Sequence, residues 1–286
     1  MKSRNIDRIG YHLLRRPVYS LLRQVSSVNM PTPSDEMVDI VIPVIPKDLN
    51  ILPFCLEGIR NNIANRIKDI YIVGPEDKRI TEFVKIHNLK FVKEDDVLGF
   101  GVKDVQYVTN DGINRSGWLF QQFLKLSGNI GTCENYVTVD SDHILIRPHV
   151  FLTKEGRFVF YRSQEFHLPY MLANKKLLGS FKMPLLSNVA HKMVFNKGIL
   201  RDLKADIEER SKLSWIESIM RVLDKDDTSA FSEFELYAQY IKRELKINKL
   251  WLQEVYMWDG VIDIENYKKQ HPHVLSITYP DYLAKK

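Results

Sequence analysis

Three short runs rich in β-branched residues alternate with two helical stretches between residues 38 and 92, and this alternation leaves the chain few architectures to choose from. Val38-Asp-Ile-Val-Ile-Pro-Val-Ile45 is almost continuously apolar, the pattern of a strand covered on both faces. A helix is expected over residues 49–63, then a second strand, Ile67-Lys-Asp-Ile-Tyr-Ile-Val-Gly74, a helix over residues 76–87, and a third strand over 89–92. Such a series predicts an α/β, Rossmann-like fold with a mostly parallel central sheet and helices on both faces. Ligands of these sheets lie outside the carboxyl ends of the strands. The loops after Ile45, Gly74 and Val139 should therefore meet at one crevice, bringing residues 43–47, 75–77 and 140–143 together.

Further on, Asn114-Arg-Ser-Gly-Trp-Leu-Phe-Gln-Gln-Phe-Leu-Lys-Leu126 places apolar residues at helical spacing, with Asn114 or Ser116 as the N-cap. The second half alternates less cleanly. Residues 157–161 and 191–195 read as strands, and residues 199–224 and 233–245 as helices. The first 35 residues differ from the rest: Lys2, Arg4, Arg8, Arg15, Arg16 and Arg23 interleave with apolar residues, and Pro17 interrupts the helical pattern. This basic amphipathic arm suits an anionic membrane surface, which residues 1–30 would contact, and equally suits a terminal helix packed on its own domain. Met30-Pro-Thr-Pro-Ser34 reads as a linker, leaving residues 36–286 as one domain.

Composition narrows the function. A chain of 286 residues with 44% hydrophobic and 27% charged residues can bury a sizeable core. The net charge of +5 is spread among acidic residues outside the arm, which argues against a nucleic-acid partner. Cys55 and Cys133 form neither a disulfide framework nor a zinc pattern, in keeping with a reducing compartment. No run reaches the roughly 18 apolar residues of a membrane span, and no signal peptide is evident, so a cytoplasmic location is expected, with the arm able to hold the protein at the inner face of the membrane.

The sharpest chemical signal is Tyr136-Val-Thr-Val-Asp-Ser-Asp-His-Ile-Leu-Ile146. Side chains at i and i+2 of extended chain point the same way, so Asp140 and Asp142 can face one cation. Hard divalent ions, Mg²⁺ or Mn²⁺, prefer such oxygens and leave positions free for phosphate oxygens. A metal so placed stabilises the charge that develops on a departing diphosphate.

A strand-terminal Asp140-Ser-Asp142 about a hundred residues after a first strand that ends in Pro43-Val-Ile resembles the glycosyltransferases of the GT-A fold with their DXD motif. Gly117-Trp-x-x-Gln-Gln-x-x-Lys-Leu126 and Ser232-Glu-Phe-Glu-Leu-Tyr237 are further similar to bacterial glycosyltransferase-like proteins, many without an assigned reaction; the resemblance covers roughly residues 38–245. It implies a metal-dependent hexosyltransferase, inverting, that moves a sugar from a nucleotide-diphosphate donor, a UDP-sugar, to a saccharide or lipid-linked acceptor in surface polysaccharide synthesis. It assigns Pro43, Val44, Ile45, Asp77, Arg115, Asp140 and Ser141 to the donor, and Asp140, Asp142 and a downstream histidine to the metal. His191 is favoured over His271 and His273. A carboxylate after the metal motif acts as general base in inverting members, which points to Glu233 and Glu235; their spacing differs from the Glu-Asp pair of the larger inverting families and leaves the stereochemistry open. On a helix they lie about 200° apart, so at most one faces the crevice. Trp118, Trp215, Trp251 and Trp258 read as core, an aromatic face being also a surface that grips sugar rings.

Two other classes share parts of this pattern. Phosphatases of the haloacid dehalogenase type also place Asp-x-Asp after an apolar strand, with the first acid, here Asp140, as nucleophile. Their motif sits on the first strand and needs a later acidic pair, for which only Asp226-Asp227 is available. Sugar-nucleotide pyrophosphorylases need a glycine-rich loop after the first strand, and Pro43-Val-Ile-Pro-Lys-Asp48 has no glycine. A non-catalytic membrane-surface protein would account for the arm but not for polar motifs gathered at strand ends.

Overall fold

The computed structural model describes residues 30–163, 165–180, 186–241, 247–249, 253–255, 264–272 and 274–279, with positions 13, 17, 18 and 21. The rest of the basic arm, the expected helical residues 242–245, Trp251, Trp258 and His273 lie outside the described residues. In chain order the first half comprises β1 (Val38–Pro43), α1 (Leu52–Asn62), β2 (Ile67–Gly74), α2 (Lys78–Ile86), β3 (Lys90–Lys93), α3 (Glu94–Leu98), α4 (Ser116–Leu126), β4 (Asn135–Val139) and β5 (His143–Leu145). The second half comprises β6 (Phe158–Phe160), α5 (Leu168–Leu178), β7 (Lys192–Asn196), α6 (Lys197–Ser211), α7 (Trp215–Val222), α8 (Glu233–Ile241), β8 (Ile247–Lys249), β9 (Gln253–Val255), α9 (Ile264–Gln270) and β10 (Val274–Thr278).

The central sheet runs β3-β2-β1-β4-β7, parallel except for β7, which is antiparallel to β4. The chain winds outward from β1 to β3 and then returns to place β4 on the other side of β1. The direction of winding thus reverses between β1 and β4. Val38, Ile40, Val41 and Ile42 of β1 are fully buried, each contributing about 1.5–3 kcal/mol. The one polar residue among them, Asp39, accepts through Oδ2 from the amides of Thr132 and Cys133 at 2.6 and 2.7 Å, while its buried Oδ1 has no partner among the described residues. Asp39 pairs with Tyr136 and Val41 with Thr138. Continued by two residues, this register sets Pro43, the last residue of β1 and still paired with Val73, opposite Asp140, the first residue after β4.

The structure departs from the sequence reading in several places, each with a local cause. A 3-10 turn over Pro46–Asn50, fixed by the Ile45 amide on Asp48 Oδ2 at 3.1 Å, delays α1 to Leu52. The single helix expected over residues 199–224 is two, α6 and α7. Lys212 adopts φ 59° between them, and Ser214 with Glu217 forms a capping box that starts α7. At the start of α4 the N-cap position is Arg115; Asn114 Oδ1 accepts from the Ser116 amide at 2.9 Å, while the Ser116 hydroxyl accepts from Tyr107 N at 3.1 Å. His191 precedes its strand and takes φ 57°, a conformation that costs a non-glycine residue energy.

Outside the central sheet, β10 pairs antiparallel with β5 and parallel with β9. Gly58 of α1 lies so close to this layer that an added Cβ would stand 2.8 Å from the Leu145 carbonyl oxygen. Among the described residues no helix is long and apolar enough to cross a membrane.

Candidate active site

The reversal point between β1 and β4 opens into a cavity of about 1070 Å³. Pro43, Ile45, Arg115, Asp140, Ser141, Asp142, His191 and Glu233 all line it. Val44, Asp77 and Glu235 do not. Val44 is buried, its amide donating to Val73 O at 2.8 Å, and the absence of a side chain on Gly74 makes room for its carbonyl. Asp77 caps α2 by accepting from Arg79 N at 2.8 Å and pairs with the Arg79 side chain, which holds its carboxyl down at about 2. Glu235 is fully buried and accepts from Ser187 Oγ, Asn188 N and Asn188 Nδ2 at 2.8, 2.7 and 2.6 Å. His271 stacks near Tyr267, away from the cavity lining.

Asp140 is held from two sides. Lys125 Nζ donates to Oδ1 at 2.5 Å, and His191 Nδ1 lies 3.0 Å from Oδ2. Lys125 also donates to Glu233 Oε1 at 2.8 Å, and His191 Nε2 lies 3.2 Å from Glu165 Oε1. The result is a chain of alternating charge, Glu233, Lys125, Asp140, His191 and Glu165. Burial opposes ionisation of Asp140, but Lys125 and His191 outweigh it and keep the carboxyl well below the usual range. Burial likewise opposes a charged imidazole at His191, yet Glu165 and Asp140 hold its pKa well above that of an ordinary histidine. Burial raises the carboxyl of Glu233 even with Lys125 beside it.

Asp142 stands apart from this chain. Its side chain has no hydrogen-bonded side-chain partner among the described residues, and burial, with the Asp140 charge beside it, pushes its carboxyl up to about 7. Backbone bonds fix its position. Tyr279 N donates to the Asp142 carbonyl at 2.8 Å, and His143 N to the Asp140 carbonyl at 3.0 Å. Next to it, Ser141 Oγ donates to Asp48 Oδ2 at 2.8 Å, the same oxygen that accepts from Ile45 N, so the loops after β1 and β4 share one anchor. Beneath the loop the buried His143 presents Nδ1 to Thr278 Oγ1 at 2.8 Å and Nε2 to Lys192 Nζ at 3.1 Å, which also donates to Ser276 Oγ at 2.8 Å.

The donor set is all oxygen on the cavity side, which suits a hard divalent cation. Asp142 offers a carboxyl beside Asp140 that makes no ion pair among the described residues. Among the described residues no three His, Cys, Asp or Glu side chains form a metal cage, so such an ion would be held openly, by these acids together with ligand oxygens. His191, with a carboxylate at each nitrogen, serves in this arrangement as a cation bridging two acids.

Sequence reasoning missed Lys125 and Glu165. Lys125 carried a signal: it sits between Leu124 and Leu126 at the end of a helix whose last five residues are all buried, a place where lysine is rare unless paired. Glu165 lies in irregular chain with no periodicity to mark it. The acidic pair a phosphatase would need is elsewhere: Asp226 accepts from Asn110, and Asp227 accepts from Ser229 N at 2.8 Å and lies 3.1 Å from His167 Nε2, neither lining the cavity.

Among solved structures, the chain is similar to glucosyl-3-phosphoglycerate synthase from Mycobacterium tuberculosis in complex with Mn²⁺, UDP and glucosyl-3-phosphoglycerate, at 12% identity, 66% coverage of each chain and a TM-score of 0.36. A second complex of that synthase, with Mn²⁺, UDP and phosphoglyceric acid, matches at 14% identity, 66% of this chain and 65% of that one, also with a TM-score of 0.36. The chain thus spans just under two thirds of the length of the mycobacterial synthase. Mouse xyloside xylosyltransferase 1, in its apo form, matches at 8% identity over 88% of this chain and 100% of that chain, with a TM-score of 0.49. No curated protein sequence matches the chain. A family match extends over residues 36–265, well over half of the chain, and the protein belongs to the family described as a family of unknown function, DUF6492.

Proposed function

We propose that this protein is a metal-dependent glycosyltransferase that moves a sugar from a nucleotide-diphosphate donor, a UDP-sugar, to a saccharide or lipid-linked acceptor in bacterial surface polysaccharide synthesis. One observation carries the reading: Asp140 and Asp142 follow β4 at the reversal point of the sheet, beside the end of β1, and line a large cavity, with no ion pair made by Asp142 among the described residues. Asp142 and Asp140 would hold Mg²⁺ or Mn²⁺, which when bound supplies Lewis acidity toward the departing diphosphate. Lys125 and His191 fix the orientation of Asp140 and keep it ionised, so the ion meets a carboxylate already set in place. Pro43 and Ile45, with Ser141 on the shared Asp48 anchor, form the wall against which the nucleotide lies. Glu233 is the general base in this reading. Its Oε1 is taken by Lys125, and its raised pKa favours accepting a proton from the acceptor hydroxyl.

The test is a thermal-shift and calorimetric titration of UDP with and without Mn²⁺ on the wild type and on Asp142→Asn. A ligand that binds only the folded state raises the melting temperature. UDP with Mn²⁺ should stabilise the wild type, and Asp142→Asn should lose at least about tenfold in affinity, roughly one charge-assisted contact, without losing its fold. Equal binding in the two proteins would remove the metal assignment. Release of phosphate from phosphosugars by a chain that ignores nucleotides would replace the transferase with a phosphatase.

A further inference from the structure

The cavity runs away from the acid pair along one edge of α4. Arg115, Trp118, Gln121 and Lys125 all line it, and spacings of three, three and four residues put them on one helical stripe. At one end Lys125 is committed to Asp140 and Glu233. Arg115 lies ten residues away, about 15 Å along the helix axis. Its Nε donates to the Thr228 carbonyl at 2.7 Å, and its guanidinium carbon sits 4.9 Å from the centre of the Trp118 ring. Its two Nη groups have no hydrogen-bonded partner and no ion pair among the described residues. Asp227, whose charge Arg115 feels, is already engaged by His167 and the Ser229 amide.

A half-buried guanidinium over an indole, facing the cavity and paired with none of the carboxylates that line it, lacks only an oxyanion. Its planar fork of N–H groups matches phosphate and carboxylate geometry, and stacking on the indole holds that fork in one plane. Its position decides between donor and acceptor. A diphosphate held by a cation at Asp140 and Asp142 lies at the Lys125 end of the stripe. Arg115 instead abuts Thr228, in the loop that leads into α8 and Glu233, rather than the loops after β1 and β2. Between the two ends, the Gln121 amide has no bonded partner among the described residues and is free to meet hydroxyl groups.

We propose that Arg115 and Trp118, with Gln121 between them and the acid pair, form an acceptor subsite that selects a sugar-like acceptor carrying a phosphate or carboxylate group at the end remote from the transfer centre. This assignment rests on the glycosyltransferase reading and moves Arg115 from the donor diphosphate, where the sequence put it, to the acceptor. The experiment is arginine-directed labelling of the full chain with phenylglyoxal, followed by mass mapping of the Arg115 peptide. Protection is measured with inorganic phosphate, with malonate, and with UDP plus Mn²⁺, and phosphate binding to Arg115→Gln is measured alongside. Phosphate or malonate should slow labelling of Arg115, the stronger of the two identifying the preferred oxyanion. Arg115→Gln should lose roughly tenfold in phosphate affinity, the scale of one charge-assisted pair, while its UDP–Mn²⁺ affinity changes less than about twofold. Protection of Arg115 by UDP–Mn²⁺ would return it to the donor site, and indifference to both oxyanions would remove the subsite. Failure of UDP–Mn²⁺ to bind the wild type counts against the transferase itself and is read in a separate arm from Arg115 protection.

Discussion

Replacing Lys125 with Met tests the charge chain around which the candidate site is built. The substitution keeps the length and most of the apolar contacts of the side chain and removes only the ammonium. It strands Glu233, whose side chain is 2% exposed, and releases one oxygen of Asp140, whose side chain is 24% exposed. Removing one partner of a buried ion pair costs about 3–5 kcal/mol, because a charge is left without its counter-ion. Asp140 keeps His191 and some water, so the lower figure, about 3 kcal/mol, applies here. At about 2–4 °C per kcal/mol for large domains, this is a fall of about 6–12 °C in melting temperature. Circular dichroism melts of the wild type, Lys125→Met, Glu233→Gln and the double variant measure it. Neutralising Glu233 should restore at least about 1.5 kcal/mol, half of the loss, a coupling expected only of groups in direct contact. Mn²⁺ should raise the melting point of Lys125→Met more than that of the wild type, since the freed oxygen of Asp140 becomes available to a cation. A single variant that melts like the wild type, or a double variant no more stable than Lys125→Met, would refute the coupling.

Other consequences follow from the same geometry. Burial, assisted by Asp95, raises the Glu94 carboxyl to about 7. The native state therefore binds more protons than the unfolded chain between its ordinary range and pH 7, and stability falls as pH rises through that window; Glu94→Gln should flatten the fall, and parallel pH profiles for the two proteins would contradict it. Glu235 accepts three hydrogen bonds in the interior, so Glu235→Gln should cost about 2–4 kcal/mol in denaturant titration, and a loss of turnover without a loss of stability would instead make it catalytic. Deleting residues 1–30 should weaken sedimentation with anionic vesicles while leaving UDP–Mn²⁺ affinity intact; undiminished sedimentation would dispose of the membrane role of the arm.

The parts of this molecule that were legible beforehand are those fixed by local patterning. The β-branched run at residues 38–42 announces a strand buried on both faces, and the repeated strand and helix pattern after it leaves a parallel sheet as the only economical packing. Asp140 and Asp142 stood out as two acids directly after a buried strand, although the chain there turns instead of continuing extended, with His143 N donating to the Asp140 carbonyl at 3.0 Å. Relations between distant segments were not readable in this way. Nothing near Glu233 says that Lys125 will meet it across a separation of 108 residues, or that Glu235 will turn inward to Ser187 and Asn188. The break between α6 and α7 is a different case: Ser214-x-x-Glu217 is a helix start written in the sequence, overridden in the reading by an apolar period that continues on both sides.

The bond from Tyr279 N to the Asp142 carbonyl and the hydroxyls of Ser276 and Thr278 on Lys192 and His143 come from β10 and its end, beyond the 36–265 span that defines the family. A fragment trimmed to that span would keep all five central strands and both acids. It would, however, leave Lys192 and His143 without their hydroxyl partners and the second acid hinged at one end only. Such a fragment would also lose the strand that pairs with β5, so measurements on the Asp140–Asp142 loop belong on the full chain.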